Sequence, residues 1–238
     1  MIALLAPGQG SQTPGMLADW LELPGAADRI ERWSQLSGLD LARLGTTASA
    51  EEITDTAVTQ PLVVATTLLA FGELASRGLP ATTVVAGHSV GEIAAYAIAG
   101  VISADDAVTL ASVRGAEMAK ACAVEPTGMA AVLGGDENEV LARLEALDLI
   151  PANRNAAGQI VAAGAVAALE KLAEDPRAKA RVRALGTAGA FHTHYIASAL
   201  DGYAAAAATV TAHDRSTTLL SNVDGRPVAS GADAMEKL

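Results

Sequence analysis

Apolar residues change their spacing several times along the chain, and each change marks an element. Residues 1–6, Met-Ile-Ala-Leu-Leu-Ala, are continuously apolar and closed by Pro7-Gly8, which predicts a short strand buried in a parallel sheet. A loop follows. Over residues 60–77 apolar side chains recur at 62, 63, 64, 68, 69, 71 and 74, with Pro61 at the first helical position and Gly78 and Pro80 as stops; a buried helix is predicted. Residues 82–86 form a second β-branched run and residues 92–99 a helical one. Strand and helix therefore alternate, the pattern of a parallel sheet with helices on its faces. Ser103 and Asp106 have the spacing of a capping box and open a helix expected to reach about residue 122.

At Pro126-Thr-Gly128 the rhythm changes. Strands are predicted at 129–133, 159–163 and 182–185, with a short one near 152–155, and helices at 137–147 and 166–174. That order, βαββαβ, is ferredoxin-like and makes an insert over residues 126–187. An Ala-rich helix at 195–210 and a strand at 217–221 then return to the first rhythm. The expectation is an α/β protein whose large domain, 1–125 with 188–238, is interrupted by the small one, with a cleft between them. The chain carries no internal repeat or low-complexity linker.

Composition narrows the function classes. Hydrophobic residues make up 51% of the chain and charged ones 18%, so it is globular rather than a disordered tail. Sixteen Lys and Arg against 27 Asp and Glu leave a net charge of −11, the wrong sign for a phosphate-backbone binder; no nucleic-acid partner is expected. An anionic ligand must instead meet a local cation. With 54 Ala and 22 Gly against two Phe, two Trp and three Tyr, the core must be close-packed small side chains, helices tight against sheet. The single cysteine, Cys122, rules out a disulfide within the chain and reads as a small buried hydrophobe in a reducing cytosol. Residues 1–6 are too short for a secretory segment, and the longest apolar candidate for a span, 93–102, contains Tyr96 and Gly100. A soluble, cytoplasmic protein away from membranes is expected.

The chemistry concentrates at Gly87-His88-Ser89-Val90-Gly91, a G-x-S-x-G between a predicted strand and a predicted helix. This is the layout of a nucleophile elbow, where flanking glycines leave room for a serine on strained backbone. A serine needs a base, and the chain has four histidines: His88, His192, His194 and His213. His88 adjoins the serine on a tight turn and reads as a packed elbow residue. His192, in Gly189-Ala-Phe-His192-Thr193 at the return from the insert, is favoured, with His194 the near alternative. Arg114 sits among small and apolar residues, where a guanidinium requires an anion: Glu117, another buried acid, or a substrate carboxylate. Pro7-Gly8-Gln9-Gly10 is a turn and lacks the Gly-Lys-Ser/Thr of a phosphate-binding loop. Lys171, Arg177, Lys179, Arg181 and Arg183 form a cationic stretch, either a solvated face or a site for an anionic partner.

Taken in order, Pro7-Gly-Gln-Gly-Ser-Gln12, Thr59-Gln-Pro61, Gly87-His-Ser-Val-Gly91, Arg114-Gly115, Gly189-Ala-Phe-His192-Thr193 and Ser221-Asn-Val-Asp-Gly225 resemble the motifs of the malonyl-CoA:acyl-carrier-protein transacylases and the acyltransferase domains of fatty-acid and polyketide synthases. The resemblance spans nearly the whole chain. It implies an α/β-hydrolase-like core interrupted by a ferredoxin-like subdomain, no bound cofactor, malonyl-CoA as substrate, acyl carrier protein as partner, and a monomer. By position it implies Ser89 as the acylated nucleophile, His192 as its general base and Arg114 as holder of the malonyl carboxylate. The backbone N–H groups of Gln9 and Val90 would form the oxyanion hole. Val90 and Phe191 resemble the malonyl type, since methylmalonyl members often carry Gln after the nucleophile and Ser before the base. Asn153 and Asn155 fall in a segment that resembles the family's cleft lining. Family members run further, through Asn-Pro-Val-x-Trp and a Gly-Pro-Gly strand and helix; without that stretch an open sheet edge and an unoriented His192 are expected.

Two rival readings share features of this sequence. A serine hydrolase, thioesterase or patatin-like, has the same elbow. Its acid would come from Asp105, Asp106, Asp136, Asp148 or Asp175, none in a matching context, and Asp224-Gly-Arg226 departs from the patatin Asp-Gly-Gly or Asp-Gly-Ala. The nonenzymatic rival is an inactive, truncated docking domain.

Overall fold

A computed structural model describes residues 2–81, 84–176 and 179–238. In chain order the elements are β1 (Ala3–Ala6), α1 (Ala18–Leu21), α2 (Ala26–Ser37), α3 (Leu41–Thr46), α4 (Thr56–Ser76), β2 (Val84–Gly87), α5 (Gly91–Ile98) and α6 (Ala104–Cys122). Then come β3 (Thr127–Leu133), α7 (Glu137–Ala146), β4 (Ile150–Ala156), β5 (Gln159–Ala165), α8 (Val166–Glu174) and β6 (Arg181–Ala184). The chain closes with α9 (Ala199–Ala207), β7 (Thr218–Leu219) and α10 (Gly231–Lys237). Two compact units result: Met1–Ala116 with Asp201–Leu238, and Glu117–Leu200.

The first unit is built on three parallel strands in the order β1-β2-β7, with Ala3 opposite Val84 and Val84 opposite Thr218. Small side chains let helices lie close to it. Ala94, Ala95 and Ala99, in and just after α5, are fully buried beside Tyr96, whose hydroxyl donates to the Ala234 carbonyl at 2.8 Å. A Cβ on Gly115 of α6 would stand 2.7 Å from the Thr56 carbonyl oxygen, so α6 rests directly on the first turn of α4. Asp105 ties α6 to α2, accepting from the Arg32 guanidinium and, at 3.0 Å, from Trp33 Nε1. Arg32 holds that carboxyl below its ordinary range. The capping box is present: Asp106 N–H donates to Ser103 Oγ at 3.0 Å, and α6 ends at Cys122.

The second unit is a four-stranded antiparallel sheet in the order β4-β5-β3-β6, its elements running β3-α7-β4-β5-α8-β6. Alternation along β5 separates two cores. Ile160 and Ala162 join Val132, Val140, Leu144 and Leu172, while Val161 and Ala163 join Met118, Met129 and Phe191. Period-two patterning thus packs both faces.

Several expectations need correction. Residues 1–6 are not wholly buried: β1 is an edge strand and Leu5 is 76% exposed. The predicted loop after it holds α1, α2 and α3. α4 begins at Thr56, capped by the Asp55 side chain accepting from Ala57 N–H, so Pro61 lies inside the helix and not at its first position. Among the described residues the one helix that is long and apolar enough, by length and composition alone, to cross a membrane is α4, whose most apolar 18 residues have a mean hydropathy of 1.4. Half of that stretch is buried, and Thr66 and Thr67 turn their hydroxyls onto carbonyls one turn back, which hides their polarity. Residues 195–210 are not one helix; a 3-10 turn, His194–Ile196, precedes α9. Of the predicted strand over 217–221, β7 takes in Thr218–Leu219, which pair in parallel with Val84 and Val85, and Leu220 bridges to Pro227. Residues 82, 83 and Arg177 lie outside the described residues.

Gly115→Ala is expected to push α6 off α4, with a loss of about 1 to 3 kcal/mol typical of overpacking, read from urea unfolding. Wild-type stability in that variant contradicts the close approach.

Candidate active site

β2 ends at Gly87 and α5 begins at Gly91, leaving three residues to make the strand-to-helix turn. Ser89 takes φ 53, the left-handed region that a non-glycine residue enters at a cost of about 1 to 3 kcal/mol. Both flanking glycines are obligatory. A Cβ on Gly91 would fall on the carbonyl oxygens of Ala6 and Pro7, and one on Gly87 would fall on the Gly91 backbone. His88 is exposed, but its Nδ1 would lie 2.8 Å from a Cβ on Gly8, so it stands against the Pro7-Gly8 loop. Val90 is fully buried. Gln9 Nε2 donates to Thr56 Oγ1 at 3.1 Å, which fixes the loop after β1 to the start of α4. Among the described residues, no hydrogen bond occupies the backbone N–H of Gln9 or of Val90.

Arg114 reaches this turn from α6. Its Nη2 donates to Ser89 Oγ at 3.4 Å and its Nη1 donates to Gln60 Oε1 at 2.8 Å. Burial pushes the guanidinium pKa down, opposed by the charges of Tyr203 and Glu92; arginine remains a cation throughout. Among the described residues no carboxylate lies within ion-pair distance of it. Glu117, one partner expected from the sequence, pairs instead with Lys120 at 2.6 Å. The site therefore joins a hydroxyl to a buried cation whose ligands are neutral. Such a pair suits a substrate that brings both an electrophile and an anion.

Four residues of this site were not assigned roles by sequence reasoning. Gln60 is fully buried and lies in the Thr59-Gln-Pro61 motif. Glu92 is 6% exposed, and its Oε1 accepts from the Asn222 N–H at 2.7 Å. Burial raises its carboxyl above the ordinary range, against the pull of bonds from Asn222 and Ser221 and the charge of Arg114. Asn222 touches the elbow itself. Tyr203 is buried with its hydroxyl unpartnered among the described residues, and burial raises its pKa. Gln60 and Asn222 at least lie within the ordered motifs Thr59-Gln-Pro61 and Ser221-Asn-Val-Asp-Gly225, whereas Glu92 and Tyr203 lie in none of them.

His192 belongs to the second unit, at φ 59 and exposed. The segment around it is held on both sides. Ala190 N–H donates to Thr127 Oγ1 at 3.1 Å, Thr193 Oγ1 donates to the Ala190 carbonyl at 2.6 Å, and Phe191 is buried beside Met118 and Met129. His194 stacks on Tyr195 with ring centroids 4.3 Å apart, and His213 lies in the first unit with its N–H on the Val101 carbonyl at 2.8 Å. A Cβ on Gly189 would strike Cys122 Sγ, and burial raises the Cys122 thiol pKa, which disfavours the reactive thiolate. Asn153 and Asn155 lie on β4. Lys171, Lys179, Arg181 and Arg183 are exposed, the last two on β6. A cavity of about 300 Å³ lined by Leu4, Leu5, Phe71 and Leu74 is separate from this chemistry, since neither Ser89 nor Arg114 lines it.

The family description "Acyl transferase domain" matches residues 4–231. The chain belongs to the acyl transferase domain family. It is 82% identical over 224 residues to the malonyl CoA-acyl carrier protein transacylase of Mycolicibacterium smegmatis, covering 94% of this chain and 77% of that protein. Over 240 residues it is 75% identical to the protein of the same name from Mycobacterium tuberculosis, covering 100% of this chain and 80% of the relative. Among solved structures, MCAT from Mycobacterium tuberculosis superposes with a TM-score of 0.96 at 74% identity, covering 100% of this chain and 79% of that one. An acyl-carrier-protein S-malonyltransferase from Bartonella henselae gives 0.90 at 30% identity, covering 99% and 79%. The mixed α/β fold, with one parallel and one antiparallel sheet, is that of these acyl transferases.

Glu92→Gln tests the electrostatics. Between the ordinary carboxylate range and the raised folded value, the folded state keeps a proton that the unfolded state releases, so Glu92 lowers stability as pH rises through that window. The Gln variant is expected to match or exceed wild type in thermal midpoint at pH 8, the difference shrinking on acidification. A difference that grows on acidification contradicts the assignment.

Proposed function

We propose that this chain is a malonyl-CoA:acyl-carrier-protein S-malonyltransferase, carrying the malonyl group through an ester on Ser89 to the phosphopantetheine thiol of acyl carrier protein. One observation carries the reading: the buried guanidinium of Arg114 stands at the Ser89 hydroxyl with no internal carboxylate on it among the described residues. The relatives' shared name supports it, as does the likeness to a malonyl-transacylase in complex with its type II polyketide acyl carrier protein, at TM-score 0.90 and 28% identity.

In the first half-reaction Ser89 Oγ attacks the thioester carbon while His192 takes its proton. The backbone N–H groups of Gln9 and Val90 receive the developing oxyanion, each donor worth about 3 kcal/mol of barrier. The coenzyme A thiolate leaves and takes the proton back from His192. In the second half-reaction the carrier's thiol attacks the malonyl-serine ester along the same path, which gives ping-pong kinetics. Arg114 binds the distal carboxylate as a fork, and Gln60 orients it. Acetyl-CoA would leave that desolvated cation without its anion, a loss of about 1.5 to 3 kcal/mol. Val90 and Phe191 mark a malonyl rather than methylmalonyl pocket.

The wider assignments follow the same reading. The first unit is α/β-hydrolase-like, supported by its strand-turn-helix elbow, and the second is ferredoxin-like, supported by its βαββαβ order. The enzyme acts as a cytoplasmic monomer in fatty-acid or polyketide synthesis and holds no resident cofactor. Lys171, Lys179, Arg181 and Arg183 offer positive charge to coenzyme A phosphates or an acidic carrier.

Incubation with radiolabelled malonyl-CoA and carrier protein is expected to label Ser89 and then the carrier. Rapid release of free malonate would indicate a hydrolase, and absence of label an inactive docking domain. Arg114→Ala is expected to lose malonyl transfer at least tenfold while gaining relative acetyl transfer. Unchanged malonyl preference refutes the role of Arg114.

A further inference from the structure

Glycine at 87 and 91 permits the left-handed serine, at φ 53, but does not hold it there. A residue 133 positions later in the sequence does. After β7, Leu220 N–H donates to the Val85 carbonyl at 3.0 Å, which carries the next residues alongside the end of β2. There the side chain of Asn222 meets the elbow twice. Its Oδ1 accepts from the Ser89 N–H at 3.1 Å, and its Nδ2 donates to the Gly87 carbonyl at 2.6 Å. The carboxamide therefore spans His88 and fixes the peptide units on both sides of it.

Asn222 is itself anchored. Its backbone N–H donates to Glu92 Oε1 at 2.7 Å, and Glu92 N–H donates in turn to the Ser89 carbonyl at 2.9 Å. Ser221 braces the turn, accepting from Val223 N–H on its hydroxyl at 3.1 Å and from Gly225 N–H on its carbonyl at 2.9 Å. A closed ring of hydrogen bonds thus runs from Ser89 through Asn222 and Glu92 back to Ser89. Every member lies in one compact unit. Only a side chain with one acceptor and one donor on the same carbon makes both elbow contacts at this length, to Ser89 and to Gly87. Alanine offers neither group, and aspartate sets an oxygen against the Gly87 carbonyl.

We propose that Asn222 is a positioning residue for the nucleophile, its carboxamide clamping the elbow so that Ser89 Oγ is held at Arg114. This deepens the function proposed above and rests on Ser89 being the acylated residue. The clamp acts through backbone geometry, so it should govern the rate of acylation and leave substrate binding to Arg114 and Gln60.

Rapid-quench measurement of Ser89 acylation by malonyl-CoA, paired with amide hydrogen exchange, tests the clamp in wild type, Asn222→Ala and Asn222→Asp. In both variants the acylation rate at saturation is expected to fall about tenfold to a hundredfold, the scale of a small misplacement of a reacting atom, with half-saturation within about twofold of wild type. The Ser89 amide should exchange faster while α4 amides keep wild-type protection. If the alanine variant loses α4 protection, the aspartate variant decides on the same readouts. A wild-type acylation rate, a change confined to half-saturation, or unaltered exchange at Ser89 overturns the proposal. A wild-type chain that takes no acyl group overturns the nucleophile reading instead, and exchange at Ser89 then judges the clamp alone.

Discussion

Between the end of β1 and the start of α5 there is no room for a single carbon atom. A side chain at Gly91 would occupy the space of the Ala6 and Pro7 carbonyls, and one at Gly87 that of the Gly91 backbone. Three residues must therefore turn the chain from strand to helix, and the middle one is forced into a conformation that L-residues avoid. Everything else in the site is arranged around that compressed turn. It carries the Ser89 hydroxyl, turns the N–H groups of Gly91 and Glu92 onto the His88 and Ser89 carbonyls, and leaves the backbone N–H of Val90 free of partners among the described residues.

A second close approach sets the charge. Because residue 115 is glycine, α6 touches the first turn of α4, and the neighbouring Arg114 comes within reach of Gln60 on α4 and of Ser89. The protein buries this cation beside a neutral amide rather than a carboxylate, and burial alone already lowers its pKa. A buried charge left in that state is unfavourable in the free protein and becomes favourable when an anion arrives. Glu92, held by Asn222 and Ser221, is likewise desolvated, and burial raises its carboxyl above the ordinary range.

How far the sequence was legible follows from the range of each interaction. The elbow, the capped start of α6 and the alternating elements from β3 to β6 are written in local spacing, and local spacing can be read. α1 and α3 are four and six residues long and too short to show a period. Pro61 misled because proline signals a helix start, whereas Asp55 supplies the cap that starts α4. The edge position of β1 depends on which strands flank it, which no run of apolar residues encodes. Gln60, Glu92 and Asn222 were illegible as functional groups for the same reason. Arg114 meets Gln60 across 54 residues, and Asn222 meets Ser89 across 133.

In the function proposed above, a buried guanidinium with no carboxylate on it among the described residues makes the serine beside it selective for an acyl group ending in an anion. Equimolar malonyl-CoA and acetyl-CoA offered together to the wild-type chain, with the peptide containing Ser89 weighed by mass spectrometry after a short reaction, tests it most directly. Malonyl is expected on that serine in excess over acetyl by about tenfold or more, as a loss of about 1.5 to 3 kcal/mol requires. Equal amounts of the two adducts, or acyl groups on residues other than Ser89, would contradict it.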